Sequence, residues 1–226
     1  MNVVLKGGVN MSDQNISLRF SFASDAQGWI AGFADYPVGQ EEFFELKSGI
    51  EPMPPDLKLP GNGFMLHGNN HSDDLFMFLK RRLGRDEGLI PGAEYRFRFL
   101  LVFASDAPSG AVGIGGAPGE SVFLKAGAST IEPRPVPVND FYLMNVDKGN
   151  QAQGGPAAST AGNIANGRSA EEPPRYVLLR REHEHPYNIR TDERGELWLL
   201  VGTDSGFEGP TRLYYREFLV DMVRVK

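Results

Sequence analysis

The sequence predicts an all-β protein, a two-sheet antiparallel β-sandwich with long Gly/Asn-rich loops, and three observations predict it. Tyr95, Phe97, Phe99, Leu101 and Phe103 alternate with Arg96, Arg98, Leu100 and Val102, a period of two that belongs to a strand with one aromatic face. Gly at 27 and Pro at 16 in 226 residues supply turns for many short strands rather than interiors for long helices. Strand-like segments also follow one another without a convincing helix between them, so two sheets must cover each other's apolar faces. A hydrophobic content of 41% is enough for a sizeable core, and the length suits one large all-β domain.

Residues 1–15 hold a short apolar piece, Val3 to Leu5, then Lys6 and two glycines. They lack the roughly 7–15-residue apolar core of a signal peptide, and no later run is long enough to span a bilayer. The expectation is an irregular segment over 1–15 and a single domain over 16–226. Taken literally this is a soluble, unexported chain; a removed signal, or translation from Met11, is the alternative.

Leu18, Phe20 and Phe22 alternate with Ser17, Arg19 and Ser21 to give a first strand. Trp29–Tyr36 and Glu42–Lys47 read as the next two, separated by Pro37 and Gly39. Gly61–Asn70 holds another, built on Phe64 and Leu66. Leu75–Leu83 is open to two readings. Ser72, Asp73 and Asp74 suit a helix N-terminus, Lys80–Arg82 its last turn and Gly84 its stop, but nine residues is short for a helix. Pro91-Gly92 is the turn that starts the strand at Tyr95. After a Gly/Ala/Pro/Ser loop over Ser105–Glu120 come a strand at Ser121–Lys125, a connector through Pro133, Pro135 and Pro137, and a strand at Phe141–Val146. Asp147–Pro174 is the longest irregular segment, and a loop of that length is usually functional or mobile. Strands at Arg175–Arg180, Glu196–Gly202 and Leu213–Val225 close the chain.

Composition removes several classes of chemistry. The net charge is −6 with no basic block, so nucleic acid is not an expected partner. The absence of cysteine excludes disulfides, thiol catalysis and Cys-ligated zinc. Gly113–Glu120 is glycine-rich but fits neither a dinucleotide fingerprint nor a P-loop, and no G-x-S-x-G elbow exists.

The densest polar cluster joins Asn69, Asn70 and His71 to Asp73 and Asp74. Hard oxygen ligands of this kind suit Ca²⁺; a turn held by Asx-type hydrogen bonds is the alternative. EF-hand spacing is absent, since Asp147-Lys148-Gly149-Asn150 lacks the later Gly and acidic positions. Asp204 and Glu208 follow a strand carrying Trp198 and sit close in sequence to Tyr214. Carboxylates and amides hydrogen-bond sugar hydroxyls while aromatic faces cover sugar rings, so His71, Asp147, Asn150, Asp204, Glu208 and Tyr214 are the ligand-binding candidates. Ordinary inter-strand loops have the same composition. His183 and His185 share one side of a strand and, with His67 or His71, could bind a transition metal, although Pro186 does not fit a cupin pattern. Asp221 alternates with Leu219, Val223 and Val225, which puts a carboxylate on an apolar face. Burying it unpaired costs several kcal/mol, so it needs a cation or donors such as Arg19.

Three segments resemble the jelly-roll, galactose-binding-like carbohydrate-binding modules of secreted and lipid-anchored bacterial proteins. Leu18-Arg19-Phe20-Ser21-Phe22 with Gly28-Trp29 is similar to their opening strand, Leu89–Phe97 to the turn and start of a central strand, and Phe218–Val225 to a closing strand with one Asp in an apolar run. The chain departs from those modules in the length of its 147–174 loop. It is also similar to bacterial proteins that bear Gly32–Pro37, Gly68–Asp74 and Gly202–Glu208, a likeness that brings no activity. The resemblance implies a jelly-roll sandwich, a strand at Leu75–Leu83, an exported or lipid-anchored location, and a structural calcium held by Asp221 between the first and last strands, beside the Asp73 and Asp74 candidates. The function it implies is non-catalytic carbohydrate binding. Two alternatives stand beside it: a saccharide-acting hydrolase or lyase using His67, His71, Asp73 and Asp74 with neighbouring acidic loops, and an assembly protein using the 147–174 loop.

Overall fold

The computed structural model describes residues 15–72 and 74–225. Among the described residues, fifteen strands form three antiparallel sheets. The largest has β12 (Val177–Glu184), β7 (Glu94–Ser105), β15 (Pro210–Arg224), β5 (Asn62–Asn69) and β4 (Lys47–Pro52) in that order, with β1 (Asn15–Ser21) on β15 and β13 (Ile189–Arg190) on β7. Facing it is a five-stranded sheet of β11 (Ser159–Asn163), β8 (Val122–Ser129), β14 (Leu197–Ser205), β6 (Leu75–Leu83) and β2 (Ile30–Ala34). A small sheet of β3 (Tyr36–Pro37), β10 (Phe141–Met144) and β9 (Pro135–Val138) completes the set. No helix among the described residues is long and apolar enough to cross a membrane.

The core lies between the two large sheets. The aromatic face of β7 meets Leu213, Tyr215, Phe218, Val220 and Met222 of β15, and across the gap lie Leu75, Met77 and Leu79 of β6 with Leu197, Leu199 and Val201 of β14. Burying each such side chain contributes about 1.5–3 kcal/mol. β15 serves two neighbours in succession. Its first half pairs with β5 and its second half with β1, and a register shift between Tyr215 and Glu217 separates the two. Arg216 is the extra residue of this bulge, and its guanidinium donates to the Asn62 carbonyl at 2.8 Å.

The five-stranded sheet is covered on both faces around its centre. Outward-facing Phe76, Phe78, Leu200 and Ala34 form a second buried cluster under Ala158, Met144 and Val146. This is why Leu75-Phe76-Met77-Phe78-Leu79 shows no alternation: a strand buried on two sides reads as a continuous apolar run. The covering strap lies directly on the sheet backbone at Gly127, where a Cβ would stand 2.4 Å from the Ala157 carbonyl oxygen.

Three expectations change here. Residues 147–174 are not one irregular loop, since they cover a sheet face and then join its edge as β11. The expected strand over Glu42–Lys47 is a turn in which the Phe44 N–H bonds to the Gln40 carbonyl and Glu45 takes φ 52°; the strand begins at Lys47. Asp221 is exposed rather than on an apolar face, because Phe218, Val220 and Met222 are the inward residues. Its partners are the Ser17 hydroxyl, which donates at 2.6 Å, and Arg98 directly opposite on β7; Arg19 pairs instead with Glu217. The 1–14 part of the N-terminal segment lies outside the described residues.

Candidate functional site

The covered face of the five-stranded sheet ends in a cluster of buried charges. Asp204, near the end of β14, points to the same side as Leu200 and has no solvent exposure. Asp74 immediately precedes β6, the strand next to β14. It is placed by Asn70, whose amide donates to the Ser205 and Phe207 carbonyls and whose Oδ1 accepts the Ser72 N–H at 3.1 Å. Asp35 follows β2 in the left-handed region at φ 64°. One carboxylate oxygen from each of the three lies within 4.8 Å of the others.

Two lysines answer these carboxylates. Lys148, carried by the strap, places Nζ 2.9 Å from Asp35 Oδ2 and 2.8 Å from Asp204 Oδ2, above the face of Phe76. Burial pulls its pKa down, but Asp204, Asp35 and Asp74 together outweigh that and hold it above the ordinary lysine value. Lys125 of β8 is fully buried, 3.6 Å from Asp204 Oδ2, and donates to the Lys148 and Gln153 carbonyls. Burial pulls its pKa below the usual value, with Asp204 opposing. The Gln151 N–H donates to Asp204 Oδ2 at 2.8 Å, so residues 148–153 wrap the two ammonium groups and the central carboxylate.

Three carboxylates against two ammonium groups leave the cluster one positive charge short. The shortfall falls on Asp74, whose pKa is pushed up to about 8, first by burial and then by the Asp204 charge. Asp74 Oδ1 and Asp204 Oδ1 are buried with no hydrogen-bond donor, a state that a proton or a cation must relieve. The cluster is not sealed. A cavity of about 200 Å³ reaches Asp35, Asp74 and Lys148 between the exposed Asp147 and Asn150, with Leu143, Met144 and Val146 as its apolar wall.

Asp74, Asp147, Asn150 and Asp204 are therefore brought together, and the other candidates are not. His71 is stacked on Phe43 at 4.1 Å between ring centroids and lies outside the cavity lining. Glu208 belongs to a loop bridged to Ile114, Tyr214 to the outer face of the seven-stranded sheet, and Asp221 to the far end of that face. Asp73 lies outside the described residues. Asp35, Lys125 and Lys148 are not among the sequence candidates. Lys125 carries a readable signal, a charged residue in the middle of the apolar Val122–Ala126 run.

The histidines do not form the transition-metal site considered above. His67 pairs with the Thr211 carbonyl and Glu45, while His183 Nε2 and His185 Nδ1 each lie 2.7 Å from Ser159 Oγ. His185 Nε2 donates to the Pro156 carbonyl, so its Nδ1 accepts from the Ser159 hydroxyl, which in turn accepts from His183. This serine joins β11 of one sheet to β12 of the other. Burial lowers the His185 pKa to about 4. Because the folded pKa is below the unfolded value near 6.5, the neutral ring's contribution is complete above pH 6.5 and is lost as pH falls towards 4. The loss is on the order of 3 kcal/mol. Thermal melts over this window should fall more steeply for the wild type than for His185→Gln, which keeps polar groups without the titration. Equal slopes would assign the acid sensitivity elsewhere.

No protein-family profile and no curated protein matches the sequence. Solved β-sandwich structures similar to it include the CBM22-1 xylan-binding domain of Xyn10C from Paenibacillus barcinonensis, at 13% identity over 95% of this chain and 98% of that one, with a TM-score of 0.41. The C-terminal family 22 carbohydrate-binding module of Clostridium thermocellum Xyn10B is 15% identical over 92% of each chain, with a TM-score of 0.39. TmCBM61, solved with β-1,4-galactotriose, is 10% identical over 88% of this chain and 92% of that one, with a TM-score of 0.34.

Proposed function

We propose that this chain is a non-catalytic carbohydrate-binding β-sandwich protein, whose strap-side cavity receives a sugar above one structural calcium ion. The observation that carries it is the cavity floor, where ionised Asp74 leaves its Oδ1 and Asp204 Oδ1 buried without a donor, a state that a proton or a cation must relieve. An all-oxygen set of Asp35, Asp74 and Asp204 has the chemistry calcium prefers. Above that floor, Asp147 and Asn150 supply acceptors and donors for hydroxyl groups, and Met144 and Val146 offer an apolar wall to a ring's C–H face. The cavity has room for about one pyranose unit.

Calcium bound only by the folded protein should raise its stability by about 2.7 kcal/mol at a hundredfold excess over Kd, and chelator should reverse the gain. Calorimetry with cell-wall, plant and host glycans should find a ligand whose affinity falls about tenfold in Asn150→Ala, with the melting temperature unchanged. A melting curve indifferent to calcium and chelator removes the ion, and silence across all three glycan classes removes the sugar.

One observation favours a saccharide-acting hydrolase as a second reading. Asp74, with its pKa pushed up to about 8, stands beside charged carboxylates, the pairing that divides acid from base or nucleophile in glycosidases. Against it, Asp204 has no exposure and both carboxylates that would partner Asp74 are held by Lys148. Release of reducing ends from any glycan that binds, abolished in Asp74→Asn, would reverse the preference.

A further inference from the structure

We propose a second binding site, for a neutral saccharide, on the outer face of the seven-stranded sheet around Tyr176 and Tyr214. It shares a ligand class with the strap-side cavity but stands on different residues of the opposite sheet.

Tyr214 of β15 lies between Met65 of β5 and Ala104 of β7 in register, and these residues with Met53 form a small buried cluster. Tyr176, just before β12, stands edge-on to Tyr214 with centroids 5.5 Å apart at 85°. A cavity of about 310 Å³ opens here, bounded by Asp56, Asp106, Arg175 and Arg212 as well as the two tyrosines. Pro54, Pro55 and Pro174 form the rest of its wall, so the shape is largely set before any ligand arrives.

The polar groups divide into used and unused. Asp56 is committed: its Oδ2 accepts the Tyr176 N–H at 2.8 Å and anchors this wall. Among the described residues the Arg212 guanidinium and the Tyr176 and Tyr214 hydroxyls make no hydrogen bond, and the Asp106 carboxylate takes only its own backbone N–H. Burial, then the Asp106 charge, keeps the Tyr176 phenol protonated and able to donate. Four side chains thus hold unused hydrogen-bonding capacity around one part-buried cavity.

Charge selects the ligand. Two carboxylates and two guanidinium groups cancel, so an anion meets Asp56 and Asp106 while a polycation meets Arg175 and Arg212. A neutral polyhydroxyl compound meets neither obstacle. Its hydroxyls donate to Asp106 and accept from Arg212, and its C–H face packs on a tyrosine ring. Among neutral ligands this describes a saccharide.

The test is isothermal titration of the full chain with cellohexaose, xylohexaose, mannohexaose and maltohexaose, with inorganic phosphate and spermidine as charged probes. Arg212→Met keeps the alkyl stem, Asp106→Asn keeps the shape, and melting temperatures report whether each variant folds as the wild type does. We expect at least one hexasaccharide to bind with affinity about tenfold or more weaker in both variants, the loss of one charge-assisted hydrogen bond. Binding unaltered in Arg212→Met and Asp106→Asn but weakened in Asn150→Ala overturns the second site and leaves the strap-side cavity standing. Binding of phosphate or spermidine that these two substitutions abolish overturns the ligand class, and no binding of any hexasaccharide overturns the site.

Discussion

Lys148→Met should destabilise the protein by about 3–5 kcal/mol, because it leaves a buried charge cluster without its central cation. The ammonium lies within 2.9 Å of both Asp35 and Asp204 and over the Phe76 ring, with almost no exposure. Methionine restores most of the volume, so the loss is electrostatic rather than a cavity effect. It is also mechanical: Lys148 pins the strap that covers Phe76, Phe78 and Leu200. Urea unfolding at pH 7 in chelator measures the difference, and added calcium should recover part of it if the vacated carboxylates accept an ion. A loss under about 1 kcal/mol, the range of exposed pairs, would mean that the carboxylates are neutralised by other means.

Asp74→Asn should have the opposite sign. The Asp74 pKa is raised to about 8 from an ordinary 3.8, by burial and then by Asp204. A raised folded pKa means the carboxyl contributes fully below pH 3.8 and the contribution is lost as pH rises through 8. In chelator at pH 8 the amide variant should therefore be more stable than the wild type. The gain is on the order of 3 kcal/mol, less than the whole pKa displacement converts to because the cavity admits water. Melts from pH 4 to 9 should show the gap opening with pH. Calcium should then reverse the order, stabilising the wild type and leaving the variant unmoved. A variant less stable than the wild type in chelator across that range would show that the Asp74 carboxylate is already satisfied, and would remove the basis for an ion there.

The strands were legible where one face is buried and the other wet. The β7 alternation and the Pro91-Gly92 turn are direct consequences of that geometry. Two places resisted for related reasons. β6 carries apolar residues on both faces because the strap buries its outer side, so no period exists to read. β15 is apolar at Leu219 and Val223 as well as at Phe218, Val220 and Met222, so its pattern does not say which set faces inward. With the parity open, Asp221 falls on the wrong side, and the bulge at Arg216 breaks the count that would fix it from Tyr214 and Tyr215.

Taken alone, the sequence determined an all-β chain of antiparallel strands, the aromatic content of its core, the absence of thiol chemistry, and most strand positions to within a few residues. These follow from backbone sterics and the side-chain period, which act over a few neighbouring residues. Only the tertiary structure decided that Asp35, Asp74, Lys125, Lys148 and Asp204, from five separate segments, share one buried cluster, and that Tyr176 and Tyr214 share one cavity. It also decided that residues 147–158 form part of a cover rather than a free loop. The physical reason is that Coulomb and desolvation energies depend on distance and burial. For residues tens to more than a hundred positions apart, strand order and register set both, and the local side-chain period carries neither.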